Sequence, residues 1–136
     1  MKKLRFLVLG VAAIGIGQAA LAQSISVKIP FTFAIADRVY PAGEYSVASS
    51  RDKLVVQDSE GKVVSMTLSN AVNGRHVGNN GEIVFHCYAD HCFLSELWIP
   101  TSDTGRQLLA SRSEIESARN NTQTWFALLG SPRDKK

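Results

Sequence analysis

The stretch EIVFHCYADHCFLSELWI, residues 82–99, decides the fold. Two runs rich in aliphatic and aromatic residues flank Ala89-Asp90, a pair of the right length for a two-residue hairpin turn. Folded about that turn, Tyr88 faces His91, Cys87 faces Cys92, Phe85 faces Leu94 and Ile83 faces Glu96. Val84, Phe93, Leu97 and Ile99 then fall on the side opposite the cysteines, so both faces are mostly apolar. A strand pair that avoids water on both sides belongs centrally in a sheet or in the wall of a closed barrel.

Toward the N-terminus, Ile25, Val27, Ile29, Phe31, Phe33 and Ile35 alternate with polar or small residues, the period of one half-buried strand. Pro30 has no amide hydrogen for a ladder, so the strand is expected to lie at an edge or to bulge there. Pro41-Ala42-Gly43 is turn chemistry, and residues 44–49 read as a strand with Tyr45 and Val47 on one face. Residues 54–57 give a short strand, Asp58-Ser59-Glu60-Gly61 turns the chain, and Val64, Met66 and Leu68 alternate with Val63, Ser65 and Thr67 in a fourth strand. The Asn- and Gly-rich residues 69–81 read as an exposed loop with a short pairing around Ala71 and Val72, and Arg75 and His76 are solvated at its tip.

Beyond the hairpin, residues 106–110 form another short strand. Ser113-Glu114-Ile115-Glu116 matches the capping box, so a helix is expected from Ser113 to about Asn120. Thr122, Trp125 and Phe126 favour a closing strand over residues 122–129, and 131–136 read as a disordered tail. The whole is an all-β domain over residues 23–130. Its architecture is a single antiparallel β-sandwich or small β-barrel of seven or eight strands, with one short helix near the C-terminus.

Residues 1–22 are of a different kind. Lys2, Lys3 and Arg5 precede an uncharged apolar run at 6–17, and Gln18-Ala19-Ala20-Leu21-Ala22 follows with small residues, the pattern of a secretory signal peptide cut between Ala22 and Gln23. The apolar run is shorter than the roughly twenty residues of a spanning helix, and no transmembrane segment is expected in the mature chain. Losing the leader removes all three units of net charge and leaves 12 basic residues against 12 acidic ones. A neutral domain with no basic cluster beyond Arg133-Asp134-Lys135-Lys136 lacks the electrostatic footprint of a nucleic-acid binder.

Export bears on the two cysteines. Cys87 and Cys92 face one another across the hairpin, and an oxidising compartment permits a disulfide between them. His86, Cys87, His91 and Cys92 are four good zinc ligands, but strand alternation points each histidine away from the neighbouring cysteine, so neither a metal nor any other cofactor is expected. His86, Asp90, His91 and Glu96 are the candidates for acid–base chemistry, joined by sequence proximity alone. No nucleophile, zinc-protease, phosphate-loop or dinucleotide motif occurs. Asn120-Asn121-Thr122 fits a glycosylation acceptor, a pattern short enough to arise by chance.

Val27-Lys28-Ile29-Pro30-Phe31-Thr32-Phe33, Pro41-Ala42-Gly43-Glu44-Tyr45, Phe85-His86 with Tyr88, and Phe93-Leu94-Ser95-Glu96 with Trp98 resemble a family of small exported bacterial proteins. Gly105-Arg106-Gln107-Leu108 fits its later part, and the likeness spans residues 27–112. The resemblance implies an exported bacterial all-β domain and brings no activity, cofactor or catalytic residue. This chain departs from the pattern at Cys87 and Cys92, so a function shared with the family would not depend on a thiol or metal there.

The expected function is that of a periplasmic or extracellular, non-enzymatic module binding an envelope component, another protein or a small apolar ligand. One alternative is a hydrolytic or metal-dependent enzyme using the hairpin at 86–96. Another is a structural or assembly subunit acting through an exposed strand edge, the one bearing Pro30. A pocket lined by Phe and Trp would mark ligand binding, and a buried cluster of His86, His91 and acidic residues would mark the enzyme.

Overall fold

A computed structural model describes residues 24–74, 80–100 and 103–132. The expected leader with its expected junction at Ala22 and Gln23, the pair Arg75 and His76, and residues 133–136 lie outside the described residues.

The strands are β1 (Ser24–Ile29), β2 (Phe33–Ile35), β3 (Arg38–Tyr40), β4 (Gly43–Ser50), β5 (Lys53–Gln57), β6 (Val63–Asn73), β7 (Gly81–Tyr88), β8 (His91–Trp98), β9 (Thr104–Leu108) and β10 (Gln123–Pro132), with one helix, α1 (Arg112–Asn120). Eight of them form an antiparallel barrel in the order β8-β7-β10-β1-β4-β5-β6-β9, which closes where β9 pairs with β8. Alternation sends Ile25, Val27 and Ile29 of β1, Tyr45 and Val47 of β4, Leu54 and Val56 of β5, and Ile83, Phe85 and Cys87 of β7 into one core. Leu94, Leu97 and Leu108 complete it from β8 and β9.

The long alternating run at 24–36 is not one strand. β1 stops at Ile29, and Pro30, unable to donate, begins a crossing of the barrel mouth. The chain resumes as β2, turns at Ala36 (φ 56°) and returns as β3, and this small hairpin touches the barrel wall through one parallel bridge, Ala34 to Phe93. It acts as a stopper. Phe33 sits edge-on to Tyr45 at 5.2 Å and to Phe85 at 5.7 Å, and stacks on Tyr40 at 5.8 Å. Tyr45 donates its hydroxyl to the Pro41 carbonyl at 2.7 Å, which fastens the following turn, and Tyr40 donates to the Val64 carbonyl at 3.0 Å. From Val27 to Ile29, the part of β1 that leads into Pro30, the strand pairs with β4 alone, so Pro30 follows a locally free edge as expected.

Two bulges reset faces that strict alternation would assign otherwise. At Val84/Phe85 the register shifts and Ser95 becomes the extra residue, so Ile83 faces Leu97 rather than Glu96, and Leu97 and Ile99 turn inward with the cysteines. The expected pairs Tyr88–His91, Cys87–Cys92 and Phe85–Leu94 are present. At Val56/Gln57 a second shift leaves Val64 packed on the core while Met66 and Leu68 point into solvent. Ser65, Thr67 and Ser69 face Val56, Leu54 and Leu108 instead, and Arg106 donates to Ser69 Oγ at 2.9 Å and to its carbonyl at 2.6 Å.

The helix begins two residues before the expected cap. Ser111 is the N-cap, its Oγ accepting from the Glu114 amide at 3.2 Å, while Ser113 lies in the first turn and donates from its hydroxyl to Asp37 Oδ1 at 2.9 Å. β10 also runs further than expected, since Ser131 and Pro132 pair with Ser26 and Ile25.

Candidate functional site

The barrel wall is partly unzipped between β1 and β10. β10 pairs with β7 over eight residues from Gln123 to Gly130, and β1 pairs with β4 along all six of its residues, yet β1 and β10 meet only at Ile25 and Ser26. Two glycines make that closed end. A Cβ on Gly81 would lie 2.5 Å from Ile25 Cγ2, and one on Gly130 would lie 2.9 Å from Ile25 Cδ1, so Ile25 fits between them only because both side chains are missing.

Beyond Ser26 the two strands part and a cleft opens. Thr124 and Phe126 face the barrel interior, opposite Cys87 and Phe85, but they are exposed because β1 does not cover them. Phe31, leaving the end of β1, leans into the gap with its ring 5.1 Å from Phe85 and 5.1 Å from Phe126. The resulting cleft, about 490 Å³, is walled by Phe31, Trp125, Phe126 and the Cys87–Cys92 disulfide, with Thr124 and Asp90 as its polar members. Trp125 is 58% exposed although neighbouring aromatics of the stopper are buried.

The disulfide forms the inner wall of this cleft. Ala89 (φ 59°) and Asp90 make a two-residue turn closed by Tyr88 and His91, which places the cysteines at the next, non-hydrogen-bonded pair with their Cα atoms 4.0 Å apart. Thr124 donates its hydroxyl to the Cys87 carbonyl at 3.2 Å and so ties β10 to the same point. A second hollow, about 290 Å³, lies on the other side of the hairpin tip, shares Asp90 and Cys92 with the first, and includes Phe33, Val39 and Asp37. Hydrogen bonds from Ser113 hold the Asp37 carboxyl below its ordinary pKa.

Asp37, Asp90 and His91 line the second hollow, whereas His86 and Glu96 stay clear of both. On the outer face of β7, Tyr88 donates to Glu114 Oε2 at 2.9 Å, Gln123 Oε1 lies 3.0 Å from the same hydroxyl, and His86 Nδ1 lies 3.4 Å from the same carboxylate oxygen. Burial first, then the hydrogen bond and charge of Glu114, push the Tyr88 pKa up to about 12. The His86 ring lies 5.0 Å from that of Trp125, and its buried Nε2 has no hydrogen-bond partner among the described residues. His91 is exposed beside Asp90 at 4.0 Å, and Glu96 accepts from Trp98 Nε1 at 2.7 Å on the far part of β8. The four acid–base candidates thus occupy three separate places, and none of His86, Glu96 and Glu114 lines the cleft or the hollow beside it.

Among the described residues no group of three or more His, Cys, Asp or Glu could hold a metal ion, and no helix is long and apolar enough to cross a membrane. Sequence reasoning treated Trp125 and Phe126 as ordinary members of a closing strand. Adjacent aromatics must face opposite sides of a strand, so one of them shows only that both sides are apolar; that one side is left uncovered depends on where β1 leaves the ladder. Set against profiles of known protein families, characterised proteins and solved structures, the chain matches none.

Proposed function

We propose that this chain is an exported, non-enzymatic binding barrel, working in the periplasm or outside the cell, that takes an apolar group into the cleft between β1 and β10. The observation that carries this reading is the cleft itself: the Phe31 and Phe126 rings and a disulfide around an open space, with Trp125 at its margin and few polar groups. Aromatic walls left in contact with water gain free energy when an apolar group displaces that water. The leader at 1–22 and the linking of the chain's two cysteines support the exported setting. The two histidines of the hairpin have separate partners, His86 beside Glu114 at 3.4 Å and His91 beside Asp90 at 4.0 Å, which favours binding over a shared acid–base site.

The test uses residues 23–136 and the neutral dye N-phenyl-1-naphthylamine, whose emission rises in an apolar site. Saturable binding that falls at least about tenfold in Phe126→Ala is expected, the size of effect that loss of a large apolar contact produces. Phe126 is already substantially exposed, so the variant should keep its fold. Dye binding that is absent, or equal in the variant, would rule out the cleft. The exported setting is tested by mass measurement of the secreted chain, which should begin at Gln23 and contain no alkylatable thiol before reduction.

A further inference from the structure

Resting on the cleft as a binding site, we infer that its occupant is an extended polypeptide segment of a partner protein, added as a strand along the free edge of β10. From Gln123 to Leu129, β10 is hydrogen-bonded to β7 on one side and has no strand partner on the other among the described residues. Every second residue of that segment directs an amide and a carbonyl toward β1, a repeat of about 6.8 Å. A compact apolar molecule fills the hollow without meeting that repeat. An extended chain meets both, since its backbone continues the ladder while alternate side chains enter the cleft.

The geometry also sets the kind of segment. The slot is a wedge, closed at Ile25 and Ser26 and bounded by two walls of one barrel, so it admits a single chain more readily than a second barrel. Residues of the segment that point inward meet Phe31 and Phe126, which suits bulky apolar side chains. At the open end stands Asp90, its side chain 94% exposed, and none of the described residues lining the cleft is Lys or Arg. Charge complementarity therefore asks for a basic residue on the segment at that end. The edge lacks the usual protection against such pairing: Gln123-Thr124-Trp125-Phe126-Ala127-Leu128-Leu129 has no charge and no proline. The assembly edge sought at Pro30 thus lies on the opposite side of the seam.

The test is a library of soluble, acetylated heptapeptides with Thr at alternate positions and apolar residues or Lys at the rest, screened against residues 23–136. Binders are expected to carry Lys near one end and to displace N-phenyl-1-naphthylamine. Methylating the backbone nitrogens of one alternate set should weaken them at least about tenfold, and of the other set hardly at all, because only one set faces β10. Asp90→Asn should weaken Lys-bearing peptides about two- to threefold and leave the neutral dye unaffected. Dye binding with no peptide binder, or with equal loss from both methylation sets, would overturn strand addition while leaving the cleft as a binding site. Failure of dye and peptides alike would overturn both.

Discussion

Ionising Tyr88 should loosen α1 from the barrel. The Tyr88 side chain is 4% exposed, and its hydroxyl donates to Glu114, which the helix carries into the outer face of β7. Its pKa of about 12 stands above the ordinary 10 of an unfolded chain, so the folded state favours the protonated phenol. The stabilisation is complete below pH 10 and is lost as pH rises from 10 to 12. A shift of about two units corresponds to about 2.7 kcal/mol of folding free energy at 1.36 kcal/mol per unit. Urea denaturation followed by circular dichroism, at intervals between pH 8 and 12, measures it when wild type is paired with Tyr88→Phe. The variant should be less stable at pH 8 by about 1–3 kcal/mol, because the buried Glu114 carboxylate loses its donor. The gap between the two proteins should then close by most of that 2.7 kcal/mol as pH approaches 12. Taking the difference removes the contribution of Tyr45, whose pKa burial also raises. A gap that stayed constant across the range would refute the reasoning, since Tyr88 would then contribute no proton linkage.

Other substitutions probe the packing that holds the cleft in place. Gly105→Ala would put a Cβ 2.6 Å from Trp98 Cε3 and 2.8 Å from the Leu97 carbonyl oxygen, which cannot move without disturbing the β8–β9 ladder. A loss of about 1–3 kcal/mol in urea denaturation, with a shift in Trp98 emission, is expected. Ser111→Ala should cost about 1 kcal/mol by removing the N-cap, and Ser113→Ala should cost less; the reverse order would mean that the cap is Ser113 after all. Reducing the disulfide opens a link between residues only five apart, so stability should fall by about 2 kcal/mol on the loop-entropy estimate while the far-ultraviolet spectrum keeps its β signature. Complete unfolding on reduction would show that the crosslink holds the barrel rather than its rim.

The legible parts of this fold are those where local chemistry and tertiary structure agree. The Ala89-Asp90 turn fixes the register of the three nearest pairs, because the short loop leaves no freedom there. Three residues further along, the bulge at Val84/Phe85 transfers Leu97 to the inner face, and apolarity could not reveal it when both faces of β8 are buried. In β6 alternation marks the strand but not which of its faces is inside: Ser65, Thr67 and Ser69 take the barrel interior while Met66 and Leu68 face solvent. The stopper hairpin at 33–40 was hidden by a run of perfect alternation, which Pro30 interrupts without changing the pattern. Cys87–Cys92 was readable from its position across the Ala89-Asp90 turn. Phe31 and Phe126 could be read as core residues, but their meeting in an open seam depends on how Gly81, Gly130 and Ile25 pack, three residues from three different strands that no local pattern links.

The segments 27–33, 41–45, 85–88 and 93–98 mostly have structural roles that the barrel needs whatever it binds. Phe33, Tyr45 and Phe85 form the stopper and its seat, Tyr45 fastens the Pro41 turn, Glu96 and Trp98 bond to one another on the outer face, and His86 and Tyr88 meet the helix through Glu114. Of the aromatic residues in these segments, Phe31 alone lines the cleft, where it meets Phe126, Trp125 and the two cysteines. A chain could therefore keep the stopper and the helix contacts, change residues 125 and 126, and retain the barrel while altering what enters its seam. Exchanging Phe126 for Ser should accordingly abolish dye binding with little change in stability, whereas Phe33→Ala, which removes a buried ring, should cost about 3–5 kcal/mol and unseat the mouth of the barrel. If the two variants lost stability equally, the cleft would be part of the core, and the separation between scaffold and binding surface would fail.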